Sequence, residues 1–169
     1  MNDKEIDQIL DEMSKNLEQY ISTNHQSDPL IIGIHTGGHW IASKLNQRLM
    51  HTLPQGELNI AFYRDDFSRI GMHPRVEPSK LPFEIEGRHI ILVDDVLHTG
   101  RTIRAAMNEI FDYGRPATIT LAVLVERSGH ELPIKADIIG KSLQLKPFEH
   151  VKLLGPEPLA LEIKQQHDG

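Results

Sequence analysis

The sequence predicts an α/β domain whose central sheet is mostly parallel and flanked by helices. Short, continuous apolar segments such as LIIGI at 30–34 and HIILV at 89–93 are typical of strands buried on both faces. Segments with helical spacing lie between them, and Gly or Pro marks several boundaries. The chain has 169 residues and no internal repeat or low-complexity tract, so a single domain over 1–169 is expected.

The first half of the chain begins with a segment of helical periodicity. Apolar residues recur at helical spacing over 3–21, and Asn2 or Asp3 can cap this amphipathic helix. The same rules predict a buried strand over 30–34, a helix over 39–50, and a strand of period two through Leu58, Ile60 and Phe62.

The second half contains the clearest helix, at 101–113, where apolar residues fall on one face and Gly114 and Pro116 follow the end. Three strands are predicted over 89–93, 118–125 and 137–140, and a less regular alternation occurs at Leu159, Leu161 and Ile163 after the GPEP turn. Alternating strands and helices place ligands at the carboxyl ends of the strands.

Composition excludes several classes of function. The net charge of -6 repels phosphate backbones on average, which argues against a general nucleic-acid coat. The absence of cysteine excludes disulfides, thiolate catalysis and cysteine-ligated metal sites. The N-terminal residues lack the apolar segment of a signal peptide, and no apolar run approaches membrane-spanning length, so a cytoplasmic location without membrane contact is expected.

A long irregular segment interrupts the pattern at 64–82. It mixes charged residues, Gly and Pro with isolated apolar residues, RDDFSRIGMHPRVEPSKLP. A loop of this length inside a compact domain is often functional. We therefore predict that 64–82 forms a flexible lid.

The strongest chemical signal follows the strand at 89–93. Asp94 and Asp95 are adjacent carboxylates at the predicted strand end, and the turn Thr99, Gly100, Arg101 and Thr102 leads into the best helix. Free backbone N–H groups at a helix N-terminus bind phosphate, and carboxylates accept hydrogen bonds from hydroxyls or attract a cation. Each feature alone could be structural, but together they suit a ligand with a phosphate and a diol or metal, such as ribose 5-phosphate.

Other phosphate and metal sites are less consistent with the sequence. The chain has no G-x-x-x-x-G-K-[ST] motif, which argues against a P-loop NTPase. His35 and His39 are four residues apart, but a Gly-rich turn separates them and no third ligand is evident, so a zinc site is not expected.

Residues 90–102, IILVDDVLHTGRT, resemble the phosphoribosyl pyrophosphate (PRPP) signature of type I phosphoribosyltransferases. Three further segments resemble the PyrR family, which comprises pyrimidine-operon regulators that also act as uracil phosphoribosyltransferases. These are AFYRDDFSR at 61–69, RTIRAAMNEIFDYGRP at 101–116 and TLAVLVERSGHELPIKADIIGKSL at 120–143. The resemblance covers roughly 5–145 and implies the type I fold, with a small hood formed mainly by 126–169.

The resemblance also implies roles for individual residues, with Asp94, Asp95 and Arg64 as the catalytic group. The PRPP and ribose 5-phosphate site would contain Ile90, Ile91, Leu92, Val93, Asp94, Asp95, Val96, Leu97, His98, Thr99, Gly100, Arg101 and Thr102. The pyrophosphate loop would be His35, Thr36, Gly37 and Gly38. The lid would begin with Tyr63, Arg64, Asp65 and Asp66, and the base hood would contain Val125, Glu126, Arg127, Ile138 and Ile139.

The pyrophosphate loop departs from the family pattern. Family members commonly carry Lys-Thr-Arg-Gly here, whereas this chain has His35 in place of the Lys and Gly37 in place of the Arg. The loop therefore lacks two fixed cations beside a highly charged leaving group. Backbone amides can still bind anions, and Arg64 could supply a cation.

The resemblance implies transfer of ribose 5-phosphate from PRPP to uracil, which gives UMP and pyrophosphate, with Mg²⁺ as cofactor. It also implies regulation of pyrimidine genes through leader RNA and a homo-oligomeric protein. One alternative is an RNA-binding attenuation regulator that senses nucleotides with little catalysis. The other is a purine or orotate phosphoribosyltransferase, against which the YRDD and hood segments argue.

Overall fold

A five-stranded parallel sheet forms the centre of the protein, and the computed structural model that shows it describes residues 1–60 and 79–166. The strands lie in the order β2-β1-β3-β4-β5. Their bounds are Leu30–Ile34 for β1, Gln55–Leu58 for β2, His89–Leu97 for β3, Thr118–Arg127 for β4 and Ile138–Leu143 for β5. This confirms the predicted α/β class with a parallel sheet.

The helices pack on both faces of the sheet. They are α1 at Asp3–Thr23, α2 at Gly37–Arg48 and α3 at Arg101–Tyr113. Asn2 caps α1 in a reciprocal pair with Glu5, since each backbone N–H donates to the other side chain. Among the helices of the described part of the chain, none is long and apolar enough to cross a membrane.

Two apolar cores lie on opposite faces of the sheet. Alternate residues of β3 serve different cores: Ile91 and Val93 pack with α1 and α2, whereas Ile90 and Leu92 pack with α3. Period-two alternation along a strand explains this division. The three inner strands β1, β3 and β4 are thus buried on both faces, which accounts for their continuous apolar sequences.

The C-terminal region forms an antiparallel hairpin of β6, Glu149–Leu154, and β7, Ala160–Gln165. The backbone N–H of Leu159 donates to Asp3 Oδ1 at 3.0 Å, and the N–H of Leu161 donates to the Met1 carbonyl at 3.0 Å. Leu159 and Leu161 join the core shared by α1 and α2. The hairpin is therefore packed against the N-terminal helix.

Several predicted bounds were wrong in instructive ways. β2 begins at Gln55 and ends at Leu58 because only these residues pair with β1, so the predicted strand through Ile60 starts and ends too late. β3 runs through Leu97 because β4 extends equally far beside it. The acidic pair therefore lies inside the strand. The strand β6 was not predicted, and Phe62 lies outside the described residues.

Candidate active site

The acidic pair lies near the carboxyl end of β3, where Asp94 is 5% exposed. The N–H of Asp95 donates to Asp94 Oδ1 at 2.8 Å, and the N–H of Val96 donates to Asp95 Oδ1 at 2.8 Å. Burial raises the pKa of Asp94 well above its usual range, and the neighbouring charge of Asp95 raises it further. A ligand that donates hydroxyl hydrogen bonds here would relieve an unfavourable concentration of negative charge.

Glycines bring the loop after β1 against this acidic pair. A Cβ atom at Gly37 would lie 2.8 Å from Asp95 Cγ, and one at Gly38 would lie 2.6 Å from the Val93 carbonyl. Only glycine permits such an approach. Thr36 occupies the N-cap of α2 and makes no side-chain capping bond, so the first N–H groups of this helix have no cap from it. The loop thus presents backbone donors next to two carboxylates.

Two histidines at this loop flank one carboxylate. His35 Nδ1 and Glu57 Oε1 form a hydrogen bond, and His39 Nδ1 lies 3.9 Å from Glu57 Oε2. Glu57 belongs to β2, whose residues run parallel to β1. The side chain of Glu57 is only 19% exposed, whereas that of His35 is 44% exposed. The carboxylate therefore holds an imidazole that remains accessible to a ligand.

The turn after β3 forms a second glycine-bearing helix start at this edge of the sheet. Gly100 is the N-cap of α3 with φ +95°, a left-handed conformation that favours glycine. The N–H of Arg101 donates to Thr99 Oγ1 at 3.2 Å. Gly100 makes no side-chain capping bond, so the N-terminus of α3 keeps backbone donors for a ligand.

The phosphate-type turn is tied to the segment that follows β4. The Thr99 carbonyl accepts hydrogen bonds from the N–H groups of Glu131 and Leu132, both at 3.0 Å. Arg101 Nε lies 3.3 Å from Glu131 Oε1. A Cβ atom at Gly100 would lie 3.3 Å from Leu132 Cβ. The turn is therefore held in place by the segment after β4.

A cavity of about 370 Å³ opens beyond the carboxyl ends of β4 and β5. Its walls come from the two strand ends and the residues that follow them: Glu126, Arg127, Ser128, Gly129, His130, Ser142, Leu143 and Gln144. It includes Glu126 and Arg127 of the predicted base hood. The other predicted hood residues, Val125, Ile138 and Ile139, contribute to the apolar cores instead.

Arg127 is 3% exposed and shapes this hood from within. Its guanidinium donates to three backbone carbonyls, those of Ser128 at 3.1 Å, Lys146 at 3.3 Å and Glu149. Ser128 adds a reciprocal pair, since its Oγ donates to the Leu145 carbonyl at 3.0 Å and accepts from the Leu145 N–H at 2.9 Å. These bonds fix the connection between β5 and β6.

His98 connects the turn with the hood. A Cβ atom at Gly129 would lie 2.9 Å from His98 Nε2, so the ring packs against the backbone of the hood. Burial lowers the pKa of His98, and the positive charge of Arg127 lowers it further. The neutral imidazole is therefore favoured at this position.

The structure brings most of the predicted site residues to one edge of the sheet, but some of them are buried in the strand and cannot contact a ligand. The side chains of Ile90, Ile91, Leu92 and Val93 are fully buried, so they hold the strand rather than face a ligand. The residues Tyr63, Arg64, Asp65 and Asp66 lie outside the described part of the chain, as does the predicted lid over 64–82 except for 79–82.

Sequence reasoning missed Glu57; it placed Ser128 and Ser142 to Gln144 within the predicted hood at 126–169 but did not name them as residues of the base site. Glu57 reaches His35 only through the pairing of β2 with β1, in which Gly33 lies opposite Glu57. The available signal was that Glu57 lies near the end of a short segment, and that the strand predicted before it ends in a Gly-rich loop. The side chains of the hood give no comparable signal, because their placement depends on Arg127.

Comparison with known proteins identifies the family to which this fold and site belong. Residues 4–154 match the model of the phosphoribosyl transferase domain family. The chain is 58% identical to the Bifunctional protein PyrR of Nitrosococcus oceani, over 94% of this chain and 91% of that protein. It is 52% identical to the Bifunctional protein PyrR of Pseudomonas syringae pv. tomato, over 93% of this chain and 92% of that protein.

Solved structures share the fold at low sequence identity. A hypoxanthine phosphoribosyltransferase from Trypanosoma cruzi, in complex with IMP, superimposes with a TM-score of 0.66 at 18% identity, over 88% of this chain and 77% of that chain. A hypoxanthine-guanine-xanthine phosphoribosyltransferase gives a TM-score of 0.63 at 20% identity, over 85% and 79%.

The parallel sheet, with two glycine-bearing helix starts beside an acidic pair, together with the family match defines a phosphoribosyltransferase of the type I fold. Within this class, the chain shares more than 50% sequence identity with two PyrR proteins over more than nine-tenths of both chains. The chain belongs to the PyrR family.

Proposed function

We propose that this protein transfers ribose 5-phosphate from PRPP to uracil and also regulates pyrimidine genes. One observation carries the enzymatic part: the two glycine-bearing loops and the pair Asp94–Asp95 meet at a single edge of the sheet. PRPP carries a 5′-phosphate, a ribose diol and a pyrophosphate, and each of these groups has a matching surface at this edge.

The turn at 99–102 binds the 5′-phosphate in this proposal. The backbone donors at the start of α3 and the hydroxyls of Thr99 and Thr102 supply hydrogen bonds to the phosphate oxygens. The 5′-phosphate is present in PRPP and in UMP. This turn therefore holds substrate and product alike, and it fixes one end of the sugar while C1 reacts.

Asp94 and Asp95 accept hydrogen bonds from the ribose 2′- and 3′-hydroxyls. At C1, the bond to the pyrophosphate oxygen breaks and the electron pair leaves with pyrophosphate. Uracil N1 forms the new bond to C1, and its proton passes to water. The two carboxylates stabilise the positive charge that develops on the ribose in the transition state.

The residues at this edge also fit Mg²⁺, which prefers oxygen ligands and commonly binds phosphates together with one or two carboxylates. Asp94 and Asp95 supply such oxygens. Within residues 1–60 and 79–166, no group of three or more His, Asp or Glu side chains could hold a metal by itself. The ion would thus depend on substrate oxygens for most of its ligands, and its chemistry would be to neutralise the leaving pyrophosphate.

The cavity of about 370 Å³ at the ends of β4 and β5 receives the base. Uracil presents N–H donors and carbonyl acceptors along its edge, and the backbone of Gly129 on this wall carries one donor and one acceptor that can complement both. Ser142 Oγ donates to Glu126 Oε2 at 3.4 Å on the same wall. The hood therefore offers polar groups on a surface that Arg127 keeps in place.

The regulatory part of the proposal rests on the similarity to relatives named Bifunctional protein PyrR, a name that indicates a second function besides catalysis. The chain itself has a net charge of -6, so RNA binding needs a local basic surface. Arg101 is paired with Glu131, but Arg104, Lys135, Lys141 and Lys146 are exposed. A homodimer would double such a surface across its two-fold axis.

An assay of UMP formation from uracil and PRPP, with and without Mg²⁺, tests the enzymatic proposal. We expect turnover with uracil that depends on Mg²⁺, and none with hypoxanthine or orotate. Turnover with one of those bases instead would assign the hood to another substrate. For regulation, a leader-RNA titration in increasing salt should show a negative slope of log affinity against log salt. Binding of PRPP and RNA without UMP formation would favour a regulator with little catalysis.

A further inference from the structure

A second cavity, of about 360 Å³, lies at the edge of the sheet opposite the candidate active site. Its walls come from the segments that precede β1, β2 and β3 and from the last turns of α1. The amino and carboxyl ends of parallel strands are separated by the strand length, about 16 Å for the five residues of β1. The transfer reaction described above uses no residue at this edge.

Hydrogen bonds hold one wall of this cavity in place. Asn46 makes a reciprocal pair with Leu53, since its Nδ2 donates to the Leu53 carbonyl at 3.0 Å and its Oδ1 accepts from the Leu53 N–H at 2.9 Å. The N–H of Met50 donates to Glu18 Oε1 at 2.7 Å, which ties the same loop to α1. The wall is therefore formed before any ligand arrives, which is usual for small-molecule sites.

Arg88 brings to the cavity a positive charge that no carboxylate of the described residues neutralises. Its Nη2 donates to the Asp28 carbonyl at 3.0 Å, and within residues 1–60 and 79–166 the guanidinium makes no other hydrogen bond and no ion pair. The side chain is half-buried. An unpaired guanidinium in such a place favours an anion, and its planar donors match the two oxygens of a carboxylate.

Two carboxylates line the same cavity, those of Asp28 and Glu18. The Asp28 carboxylate makes no hydrogen bond within the described residues, although the Asp28 carbonyl is bonded to Arg88. One cation beside two anions disfavours a phosphate monoester, which carries about two negative charges near neutral pH. A ligand with one negative and one positive group complements both signs.

Much of the remaining lining is apolar. Leu49 belongs to the core that α1 and α2 share, and Ile21 and Leu53 pack against that core. Pro29 and Pro54 extend the apolar lining. Such a surface favours a ligand with an apolar side chain, because burial contributes roughly 25 cal/mol for each Å² of apolar surface removed from water. The cavity thus combines apolar walls with charges of both signs.

We propose that this cavity binds an α-amino acid with a large apolar side chain. The ligand carboxylate pairs with Arg88, its ammonium group pairs with Asp28, and its side chain packs against Leu49 and Leu53. The two charges of an α-amino acid are close together, and so are Arg88 and Asp28, which a hydrogen bond already joins. The site takes no part in the proposed reaction, so the two are independent of each other.

An NMR titration of the ¹⁵N-labelled protein with L-phenylalanine tests this proposal. We expect a dissociation constant of about 1 mM or below, in the range of small ligands. The amide signals of residues 49–53 should shift, and those of residues 99–102 should not. The titration is run with and without UMP, and both runs should give the same affinity, because the cavity lies at the opposite edge of the sheet.

Two analogues test the charges of the ligand on the wild-type protein. Hydrocinnamate lacks the ammonium group and phenethylamine lacks the carboxylate, so each should bind about tenfold or more weakly than L-phenylalanine. Equal binding of the three compounds would overturn the proposal, because the apolar walls alone would then account for it. This comparison does not depend on whether any variant folds.

Variants assign each charge to its partner. Arg88→Gln should weaken L-phenylalanine by about tenfold to a hundredfold. Asp28→Asn keeps a residue that tolerates the φ of +49° and should weaken L-phenylalanine but not hydrocinnamate. Arg115→Gln is the matched control, since Arg115 is exposed, lies outside the cavity, and accepts the N–H of Gly87 at the same edge. Thermal unfolding verifies that each variant is folded.

Three results would contradict the proposed amino-acid site. The first is the absence of shifts at 49–53 with about 10 mM L-phenylalanine. The second is a set of shifts at 99–102 in their place, which would assign the ligand to the active site. The third is wild-type affinity for L-phenylalanine in folded Arg88→Gln. Each of these holds whether or not the protein converts uracil to UMP, so failure of the proposed reaction leaves the cavity assignment unaffected.

Discussion

The two loops that border the acidic pair start helices at the ends of neighbouring strands, but they differ in their chemistry. The loop at 35–38 uses glycines that approach the acidic pair closely, and it carries His35 bonded to Glu57. The turn at 99–102 uses Gly100 at φ +95° and is fastened through Thr99 to the segment after β4. Both present backbone N–H groups, yet only one presents a titratable ring.

This difference corresponds to what each loop binds in the proposed reaction. The 5′-phosphate stays attached to the sugar throughout, so backbone donors and hydroxyls of constant charge suffice for it. The pyrophosphate must be bound and then released. A rigid backbone site suits a group that remains attached to the sugar.

The largest expected effect comes from the acidic pair, which serves both loops. In Asp94→Asn with Asp95→Asn, PRPP and UMP should both bind at least about a hundredfold more weakly, because two charged acceptors worth about 1.5–3 kcal/mol each are lost. Calorimetry measures both affinities, with exposed Asp112→Asn as control. Wild-type UMP affinity in the double variant would show that the pair does not hold the ribose.

A second variant affects only the turn after β3. Gly100→Val places a branched side chain at φ +95° and against Leu132, so PRPP and UMP should each weaken by roughly tenfold to a hundredfold. Gly87→Val is the matched control, since Gly87 also has positive φ, 71°, but has open space around it. It should destabilise the fold without changing ligand affinity. If PRPP weakened while UMP did not, the 5′-phosphate site would lie elsewhere.

A third prediction concerns the energetic cost of the acidic pair. The pKa of Asp94 is raised by burial, so the folded protein holds this proton more tightly than the unfolded chain does, and stability decreases as the pH rises above about 4. Asp94→Asn should therefore raise the midpoint of thermal unfolding at pH 7, because the amide carries no charge into the buried site. The gain should shrink as the pH falls toward about 4. A lower midpoint at pH 7 would contradict this prediction.

The smallest effect is expected at Arg101, whose side chain is 64% exposed and paired with Glu131. Surface ion pairs contribute about 0–1 kcal/mol, and the turn binds phosphate mainly through its backbone. Arg101→Ala should thus change UMP affinity less than about threefold, as should the control Arg104→Ala, a change at an exposed position of the same helix. A tenfold loss in calorimetry for Arg101→Ala alone would assign the phosphate to its guanidinium.

The parts of the site that the sequence predicts well are local. β3, the acidic pair and the turn at 99–102 lie within one short segment that ends at a strongly amphipathic helix, so their proximity follows from chain connectivity. The placement of Asn2 as the cap of α1 was equally local, since its partner is three residues away.

Contacts between distant segments were not predictable in the same way. Glu57 meets His35 because β2 pairs with β1 in one particular register, which the periodicity of four residues cannot specify. Likewise β6 has only Val151 and Leu153 packed against the core, and the exposed residues His150 and Lys152 alternate with them. That short alternation resembles many loops, and the hairpin forms because its apolar face covers α1 and α2.

The three carbonyl acceptors of Arg127 have a practical consequence for engineering. Two of them belong to residues 146 and 149, and a carbonyl is supplied by every amino acid. The side chains at 145–148 can therefore be varied in a combinatorial library while the guanidinium, and the Glu149 carboxylate that accepts the N–H of Lys146, keep the main chain in place. Position 127 itself must stay fixed, since lysine offers one nitrogen where this segment uses three.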